Sequence, residues 1–321
     1  MSLAYKTLAP EAVYVKEKTG LDFLDEGLEM LQEGNIKTGM SELVGQLYNT
    51  YASTSSTDWA RLVERDFLRH PIRKLLMQDP LTARSFYRPR GYAGDAELLD
   101  SIYFPQKMNL ENTSSIGRKI YHVTTGVGVA RALRERKEIV AKHIDETASR
   151  ASNARVLSIA CGHCREAELS SAIQNRELGT FVGLDQDQDS LNLVNQQYGS
   201  LGIETTRTSI TDIVRGHVVL GQFDLIYSSG LYDYLGKRLA QKLTAQLFKM
   251  LAPGGKLVLF NIIPDFPEIG YFESFMNWSL IGRDQGDMLE LAADLPTGGL
   301  ASLKVGHGAE ESFNYIEIKK N

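Results

Sequence analysis

Strand-like and helix-like segments alternate through the second half of the 321-residue chain, and this alternation constrains the fold more than any other feature. Stretches with helical character separate five short β-rich runs, at 154–160, 179–185, 203–209, 223–229 and 256–263. Because most of these runs are almost continuously apolar, they are typical of strands in a parallel sheet covered by helices on both faces. The tail has no helix of its own and predicts two antiparallel strands within 300–321.

The first half of the chain has a different pattern. Residues 41–51 place Leu43, Leu47 and Tyr51 on one helical face, and residues 56–71 begin with a Ser/Thr/Asp cluster and end at a proline. Residues 130–150 carry a helical apolar stripe beside several arginines, which predict a solvated helix face. The sequence therefore predicts a helical cap or substrate domain over 1–150 and an α/β domain over 151–321.

Composition excludes several classes of protein. The chain is 43% hydrophobic, which suffices for a sizeable core, and its net charge of −5 gives no general attraction to nucleic acid. It has no apolar run of membrane-spanning length, and residues 1–18 lack the apolar stretch of a signal peptide. Two cysteines in a chain of this length do not form a disulfide framework. We therefore expect a cytoplasmic protein with no membrane or nucleic-acid partner.

Four elements with a chemical role follow one another in the α/β half. The first is the turn "SIACGHCREAEL" after the first strand, where small residues let backbone N–H groups approach a ligand at a helix N-terminus. The second is Asp185, 23 residues beyond Gly162, at the usual position for a carboxylate that binds ribose hydroxyls. The third is "TSIT" at 208–211, beside the expected adenine, and the fourth is the Pro-Gly-Gly turn and apolar strand of "LAPGGKLVLFNI". Together they predict a nucleotide site.

Three alternatives use some of the same residues. An NAD site is disfavoured by a turn with one glycine where a dinucleotide fingerprint has three, by about 150 helical residues in front of it, and by the C-terminal hairpin. Cys161 and Cys164 have C-x-x-C spacing, but a metal site would need two further ligands and no second cysteine pair exists, so we expect no metal. A thioredoxin-like redox pair also fits the motif, yet such a role does not require Asp185 or the later turns.

The motifs "VLSIACG", "FVGLDQD", "FDLIYSSGLYDYL" and "LAPGGKLVLFNI", taken as a set over 153–263, resemble class I S-adenosylmethionine-dependent methyltransferases. That resemblance implies a Rossmann-like seven-stranded core with a C-terminal antiparallel hairpin. The segments 87–103, 130–140, 227–235 and 276–292 further resemble a bacterial subfamily described as extracellular-factor 3-hydroxypalmitate methyl ester biosynthesis proteins, in which N-terminal helices cap the core. This chain carries Ala160 and Cys164 where that subfamily has loop glycines.

The resemblance also implies roles for particular residues. S-adenosyl-L-methionine would contact the four motifs through Ala160, Cys161, Gly162, His163, Asp185, Gln186, Ser209, Ile210, Ser228 and Gly230. The acceptor pocket would include Arg90, Tyr92, Tyr232, Asp233, Tyr234, Trp278 and Arg283.

The expected reaction is methyl transfer to a small molecule. Alignment of the reacting groups can remove roughly 7–11 kcal/mol of barrier. A carboxylate acceptor, with a pKa of about 4, needs no base and could be held by Arg90, Arg283 or Tyr92. A hydroxyl or amine acceptor would need a base, for which His122 and Asp233 are the candidates, with Tyr232 completing the candidate catalytic group. The function that we predict is O-methylation of a carboxylic acid or a hydroxyl group. The alternative functions are N-methylation of a small metabolite and binding by a non-catalytic protein with the methyltransferase fold. The long N-terminal helices would also allow a homodimer.

Overall fold

The computed structural model of the protein describes residues 21–321; the predicted absence of a signal peptide concerns residues outside this range. Fourteen α-helices lie in the described part, namely α1 Asp22–Gln32, α2 Ile36–Ser53, α3 Ser56–Arg65, α4 Ile72–Leu76, α5 Pro80–Tyr87, α6 Ala96–Tyr103, α7 Ser115–Thr124, α8 Gly128–Arg150, α9 Ser171–Gln174, α10 Gln188–Tyr198, α11 Ile210–Val214, α12 Lys237–Lys249, α13 Ile269–Ser274 and α14 Gln285–Glu290. The strands are β1 Arg155–Ile159, β2 Thr180–Asp185, β3 Ile203–Arg207, β4 Phe223–Ser228, β5 Leu251–Ile262, β6 Leu300–His307 and β7 Phe313–Lys320.

The seven strands form one sheet in the order β3-β2-β1-β4-β5-β7-β6. Strands β1 to β5 pair in parallel, whereas β7 runs antiparallel to both β5 and β6. This arrangement confirms the predicted fold class, including the C-terminal hairpin. Because β1 pairs with β2 on one side and with β4 on the other, the strand order reverses at β1, and a crevice forms outside the carboxyl ends of β1 and β4.

Both faces of the central strands β1, β2 and β4 and of most of β5 are buried, as their apolar sequences predicted, whereas the edge strands β3 and β6 are largely half-buried or exposed. Leu157 and Ile159 of β1 join one cluster with Leu243 and Leu247 of α12. Alternate residues belong to a second cluster in which Val140 and Ile144 of α8 pack with Val156, Leu225, Tyr227 and Val258. Successive side chains of a strand point to opposite faces, so this alternation places one layer of helices on each side.

The chain divides into two compact units that do not coincide with the predicted boundary at residue 150. A helical unit contains 21–87, 109–124 and 267–278, and the sheet unit contains 88–108, 125–266 and 279–321. The sheet unit includes α8, because the apolar stripe of that helix packs in the same cluster as residues of β1, β4 and β5. It also includes α6, whereas the later helix α13 is part of the helical unit.

The helical unit has an aromatic core and a fully buried carboxyl group, that of Asp79. Trp59 packs edge-on against Phe67, which in turn stacks on Phe275. Asp79 accepts hydrogen bonds from the Leu81 and Thr82 backbone N–H groups and from the Thr82 and Thr124 hydroxyls. Among the described residues, no helix is long and apolar enough to cross a membrane.

Candidate cofactor and acceptor site

The turn after β1 has an unusual backbone. Ala160, Gly162 and Cys164 have φ angles of +54°, +51° and +51°, in the left-handed region. A side chain in this region costs roughly 1–2 kcal/mol, which explains physically why glycine would be favoured at 160 and 164. The Cys161 backbone N–H donates to Leu184 O at 3.0 Å and so fixes the turn against β2. The turn therefore keeps a glycine-type path although two of the three positions carry side chains.

The segment that follows this turn differs from the prediction. Between the first two strands, where the sequence predicts a stretch of helical character, the chain forms a 3-10 helix at Arg165–Glu168 followed by the four-residue α9. The Asp145 carboxylate, on α8, accepts from the hydroxyls of Ser170 and Ser171 and from the backbone N–H groups of Ser171 and Ala172, and so holds the start of α9. The α-helix predicted to begin at the turn is therefore wrong: a 3-10 helix follows the turn, and the α-helix begins only at Ser171, where Asp145 binds its N-terminus.

Asp185 lies at the carboxyl end of β2, as predicted, and connects two turns. Its carboxylate accepts from the Gly162 backbone N–H at 2.8 Å and from the Asp187 backbone N–H at 2.9 Å. Burial raises the pKa of Asp185, and these backbone hydrogen bonds oppose the rise. A carboxylate has about four acceptor positions, so two backbone donors leave capacity for ligand hydroxyls.

An open cavity of about 720 Å³ lies beside the β2 and β3 ends. Its size falls within the roughly 300–1,000 Å³ typical of small-molecule sites. Its lining residues are Arg90, Tyr92, Gln186, Asp187, Gln188, Asp189, Arg207, Thr208, Ser209 and Asp212. The predicted Gln186 and Ser209 thus face one cavity, whereas Ile210, the first residue of α11, packs against the sheet core.

Residues 88–95 run beside this cavity and are fixed by several side chains. Arg90 Nη1 donates to Asp187 Oδ2 at 2.7 Å and to Ser190 Oγ at 3.0 Å, and its Nη2 donates to Glu97 Oε1. Burial raises the pKa of the Tyr92 phenol, and the charges of Asp185 and Asp187 raise it further, which places that phenol near the two carboxylates. The Arg90 guanidinium, predicted to hold the acceptor, therefore already donates hydrogen bonds to three protein side chains.

His163, in the β1 turn, is held from α6. Its Nδ1 lies 2.7 Å from Asp100 Oδ2, and Arg165 donates to both oxygens of the same carboxylate. The His163 Nε2 atom is buried and has no hydrogen-bond partner among the described residues. One polar atom of the turn is therefore available to a ligand.

The loop after β4 contains the next group of predicted residues. Ser228 is fully buried and donates to Ile159 O at 3.0 Å, which links the ends of β4 and β1. The Asp233 carboxylate accepts from the Ile262 backbone N–H at 2.7 Å and from Arg136 Nη1 at 3.2 Å. Burial raises the pKa of Asp233, and the charge of Arg136 opposes this rise. Both oxygens of the predicted base thus already have protein donors.

The two tyrosines of this loop and Arg283 make different contacts. Tyr232 is fully buried in the sheet core, where its hydroxyl lies 2.9 Å from Thr244 Oγ1. Tyr234 is 40% exposed and donates to Ala93 O at 3.1 Å. Buried Arg283 donates to Tyr232 O, to Asn261 Oδ1 and to Leu235 O. In the structure Tyr232 and Arg283 therefore stabilise the loop, and only Tyr234 of the three has a substantial exposed surface.

His122 and Trp278, two further predicted residues, belong to the helical unit. His122 is an exposed residue of α7. Trp278 is buried and stacks on Phe272 with ring centroids 4.8 Å apart.

The cysteine pair lacks the properties of a reactive site. Both thiols are free and buried, and burial raises the pKa of each well above its ordinary value. Low pKa and partial exposure are what make cysteines reactive, so neither thiol fits a redox role. Across residues 21–321, the structure holds no cluster of three or more His, Cys, Asp or Glu side chains suited to a metal ion.

Sequence reasoning missed Arg136. The arginines of this helix were predicted to form a solvated face, and Arg131 does lie at the surface in an ion pair with Glu310. Arg136 is instead 4% exposed and points toward Asp233 and Gly230. The helical pattern carried no signal for this position, because the partner carboxylate lies 97 residues along the chain.

The sheet order and the crevice beside Asp185 define a class I methyltransferase fold. Residues 156–255 match a protein family described as "Methyltransferase domain", and this match supports the expected cofactor, S-adenosylmethionine. No curated protein sequence matches the chain significantly.

Solved structures resemble the fold at low sequence identity. A Bordetella parapertussis protein described as a possible exported protein is 16% identical and superposes with a TM-score of 0.58 over 84% of this chain and 98% of its own. A TehB-like SAM-dependent methyltransferase from Corynebacterium glutamicum is 19% identical, with a TM-score of 0.41 over 58% of this chain and 88% of its own. The N-methyltransferase NodS from Bradyrhizobium japonicum, solved with S-adenosyl-L-homocysteine, is 16% identical, with a TM-score of 0.42 over 58% of this chain and 87% of its own. At these identities the first superposition shows the fold alone.

Proposed function

We propose that the protein is an S-adenosylmethionine-dependent methyltransferase that acts on a small molecule. The observation that carries the proposal is the Asp185 carboxylate, which joins the left-handed β1 turn to the β2 end beside a cavity of suitable size. The methyltransferase-domain match over 156–255 agrees with it.

The residues at the β-strand ends fit this cofactor. Asp185 keeps acceptor capacity for the ribose hydroxyls, and a desolvated carboxylate gains most from such donors. A Cβ at Gly162 would meet the Ala96 side chain at 3.3 Å, so glycine at this left-handed position avoids a tight contact and supports the close turn. Ser209 and Gln186 line the cavity where the adenosine would lie, and Ala160, Cys161, His163, Ser228 and Gly230 would lie along the methionine portion. When bound, the cofactor supplies an activated methyl group on sulfur.

We further propose that the acceptor oxygen belongs to a carboxylic acid. Asp233, the buried candidate base, already accepts from Arg136 and from the Ile262 backbone, so it is poorly placed to take a proton. A carboxylate is ionised at neutral pH and requires no base. This acceptor also agrees with the resemblance of several segments to the bacterial subfamily of methyl ester biosynthesis proteins. A cytoplasmic location and a homodimer remain predictions.

Calorimetry with S-adenosylhomocysteine tests cofactor binding. The wild-type protein should bind, and Asp185→Asn should weaken binding tenfold or more because it removes a charged acceptor. Asp224→Asn is the matched control, because the Asp224 carboxylate also accepts a hydrogen bond from a backbone N–H, that of Arg155 at 2.8 Å. Asp224 is the second residue of β4, at the amino end of the strand, whereas the proposed site lies at the carboxyl ends. Wild-type protein that does not bind S-adenosylhomocysteine, or that binds NADH instead, would contradict the proposal.

A turnover assay separates the two remaining alternatives. S-adenosylmethionine should be consumed in the presence of carboxylic acids, with methyl esters detected by mass spectrometry. Methylation of amines but not acids would establish the N-methyltransferase alternative. Binding without turnover of any acid, alcohol or amine would indicate a non-catalytic methyltransferase fold.

A further inference from the structure

The guanidinium of Arg136 is buried but only partly satisfied. Its side chain is 4% exposed, and Nη1 donates to Asp233 Oδ2 at 3.2 Å. Its Nε has no hydrogen-bond partner among the described residues. A guanidinium carries five N–H donors, and unsatisfied buried donors are costly, so this side chain is poised for another acceptor.

The unsatisfied edge of the guanidinium points to the end of β4. Arg136 Nη2 lies 3.7 Å from the position that a Cβ on Gly230 would take, and glycine leaves that space open. The Tyr103 phenol lies nearby, since burial raises its pKa to about 12 against the opposing charge of Arg136. Nη2 therefore lies beside Gly230, two residues after the carboxyl end of β4, with room for a methyl-sized group at that glycine.

The geometry of the guanidinium favours a planar oxyanion. Nη1 is occupied by Asp233, whereas Nε and Nη2 form the parallel pair of donors that a carboxylate accepts in two hydrogen bonds. Arg283 also lies close enough to Asp233 for its charge to stabilise the ionised carboxyl group. Arg283 has a second carboxylate, that of Asp287, close enough for their charges to interact, so the free donors of Arg136, and not an excess of positive charge, are what a ligand oxyanion would engage.

We propose that Arg136 binds a carboxylate of the methyl acceptor through Nε and Nη2, and that it selects acidic acceptors over neutral ones. Asp233 is then a positioning residue that holds Nη1 and orients this pair of donors. The inference rests on the proposed methyltransferase function, because that function places an acceptor beside Gly230.

Binding of matched acids and amides tests the inference. Calorimetry would use benzoate against benzamide, and decanoate against decanamide, with S-adenosylhomocysteine present at saturation. The wild-type protein should bind at least one acid tenfold or more tightly than its amide. Arg136→Lys should reduce this preference, because an ammonium keeps the charge but lacks the paired donors.

A double variant protects the test against misfolding. Arg136→Met together with Asp233→Asn removes both buried charges and leaves an amide oxygen for the Ile262 N–H. It should keep its S-adenosylhomocysteine affinity within threefold of wild type and lose the preference for acids. Arg131→Met, an exposed change on the same helix, is the control and should keep the preference.

Two results would overturn the inference. One is a wild-type protein that binds S-adenosylhomocysteine yet prefers neither acid to its amide. The other is a double variant that binds S-adenosylhomocysteine and still prefers acids tenfold. In both cases cofactor binding shows that the proposed function stands, whereas loss of cofactor binding by the wild type would count against that function itself.

Discussion

Replacement of Arg283 by methionine should destabilise the protein strongly. Its guanidinium donates to Tyr232 O at 2.7 Å, to Asn261 Oδ1 at 2.5 Å and to Leu235 O, and the Arg283 side chain is buried. Methionine would leave three acceptors without these donors. Each unsatisfied buried group costs about 1–3 kcal/mol, and partial relaxation recovers some of it, so we expect a loss of about 3–5 kcal/mol.

Urea unfolding of wild type and Arg283→Met measures this loss as a shift of the midpoint at an unchanged slope. Arg238→Met is the control, because Arg238 is exposed on α12 and such surface changes stay within about 0.5 kcal/mol. A loss below about 1 kcal/mol for Arg283→Met would refute the structural role. If that variant also bound the test acids more weakly, the substrate role predicted from the sequence would be favoured instead.

Two further predictions concern buried titratable groups. Because burial raises the pKa of both thiols, Cys161 and Cys164 should resist iodoacetamide at pH 8 in the folded protein and react after unfolding, as mass spectrometry would detect; labelling of the native state would contradict their buried positions. Burial raises the pKa of Asp79 from 3.8 to about 6, so the folded state binds this proton more tightly than the unfolded state. The contribution of Asp79 to the free energy of unfolding is fully present below pH 3.8 and is lost as the pH rises through about 6. This loss amounts to about 3 kcal/mol, and Asp79→Asn should abolish it. If the free energies of unfolding of wild type and Asp79→Asn changed equally with pH, the raised pKa of Asp79 in the folded state would be refuted.

Local pattern was sufficient for β1 and β2, whereas β5 begins at Leu251, five residues before the predicted run 256–263 and across the predicted Pro-Gly-Gly turn. The run 154–160 predicted β1, found at Arg155–Ile159, and the run 179–185 predicted β2, found at Thr180–Asp185. A strand buried on both faces must be apolar at nearly every position, so its signal lies within a few consecutive residues. The position of Asp185 at a strand end followed from the same signal.

The helix after β1 shows where local pattern was insufficient. Its sequence has helical character, but the structure divides it into a 3-10 helix and a short α-helix that begins where Asp145, 25 residues earlier in the chain than Ser170, binds the serines. Serine hydroxyls bind such partners readily, and the competing contact exists only when α8 lies against the sheet.

The sequence by itself determined the strand runs, their alternation with helices, the C-terminal hairpin and the order of the nucleotide motifs, because each depends on residues close together in the chain. Only the tertiary structure decided what the polar side chains of the site contact. Arg131 and Arg136 belong to one helix, yet Arg131 forms a surface ion pair with Glu310 and Arg136 is buried against Asp233. Tyr232 and Tyr234 belong to one short loop, yet the first packs in the core and the second is exposed. Such differences depend on partners many residues away, whose proximity follows only when the sheet and its covering helices pack together.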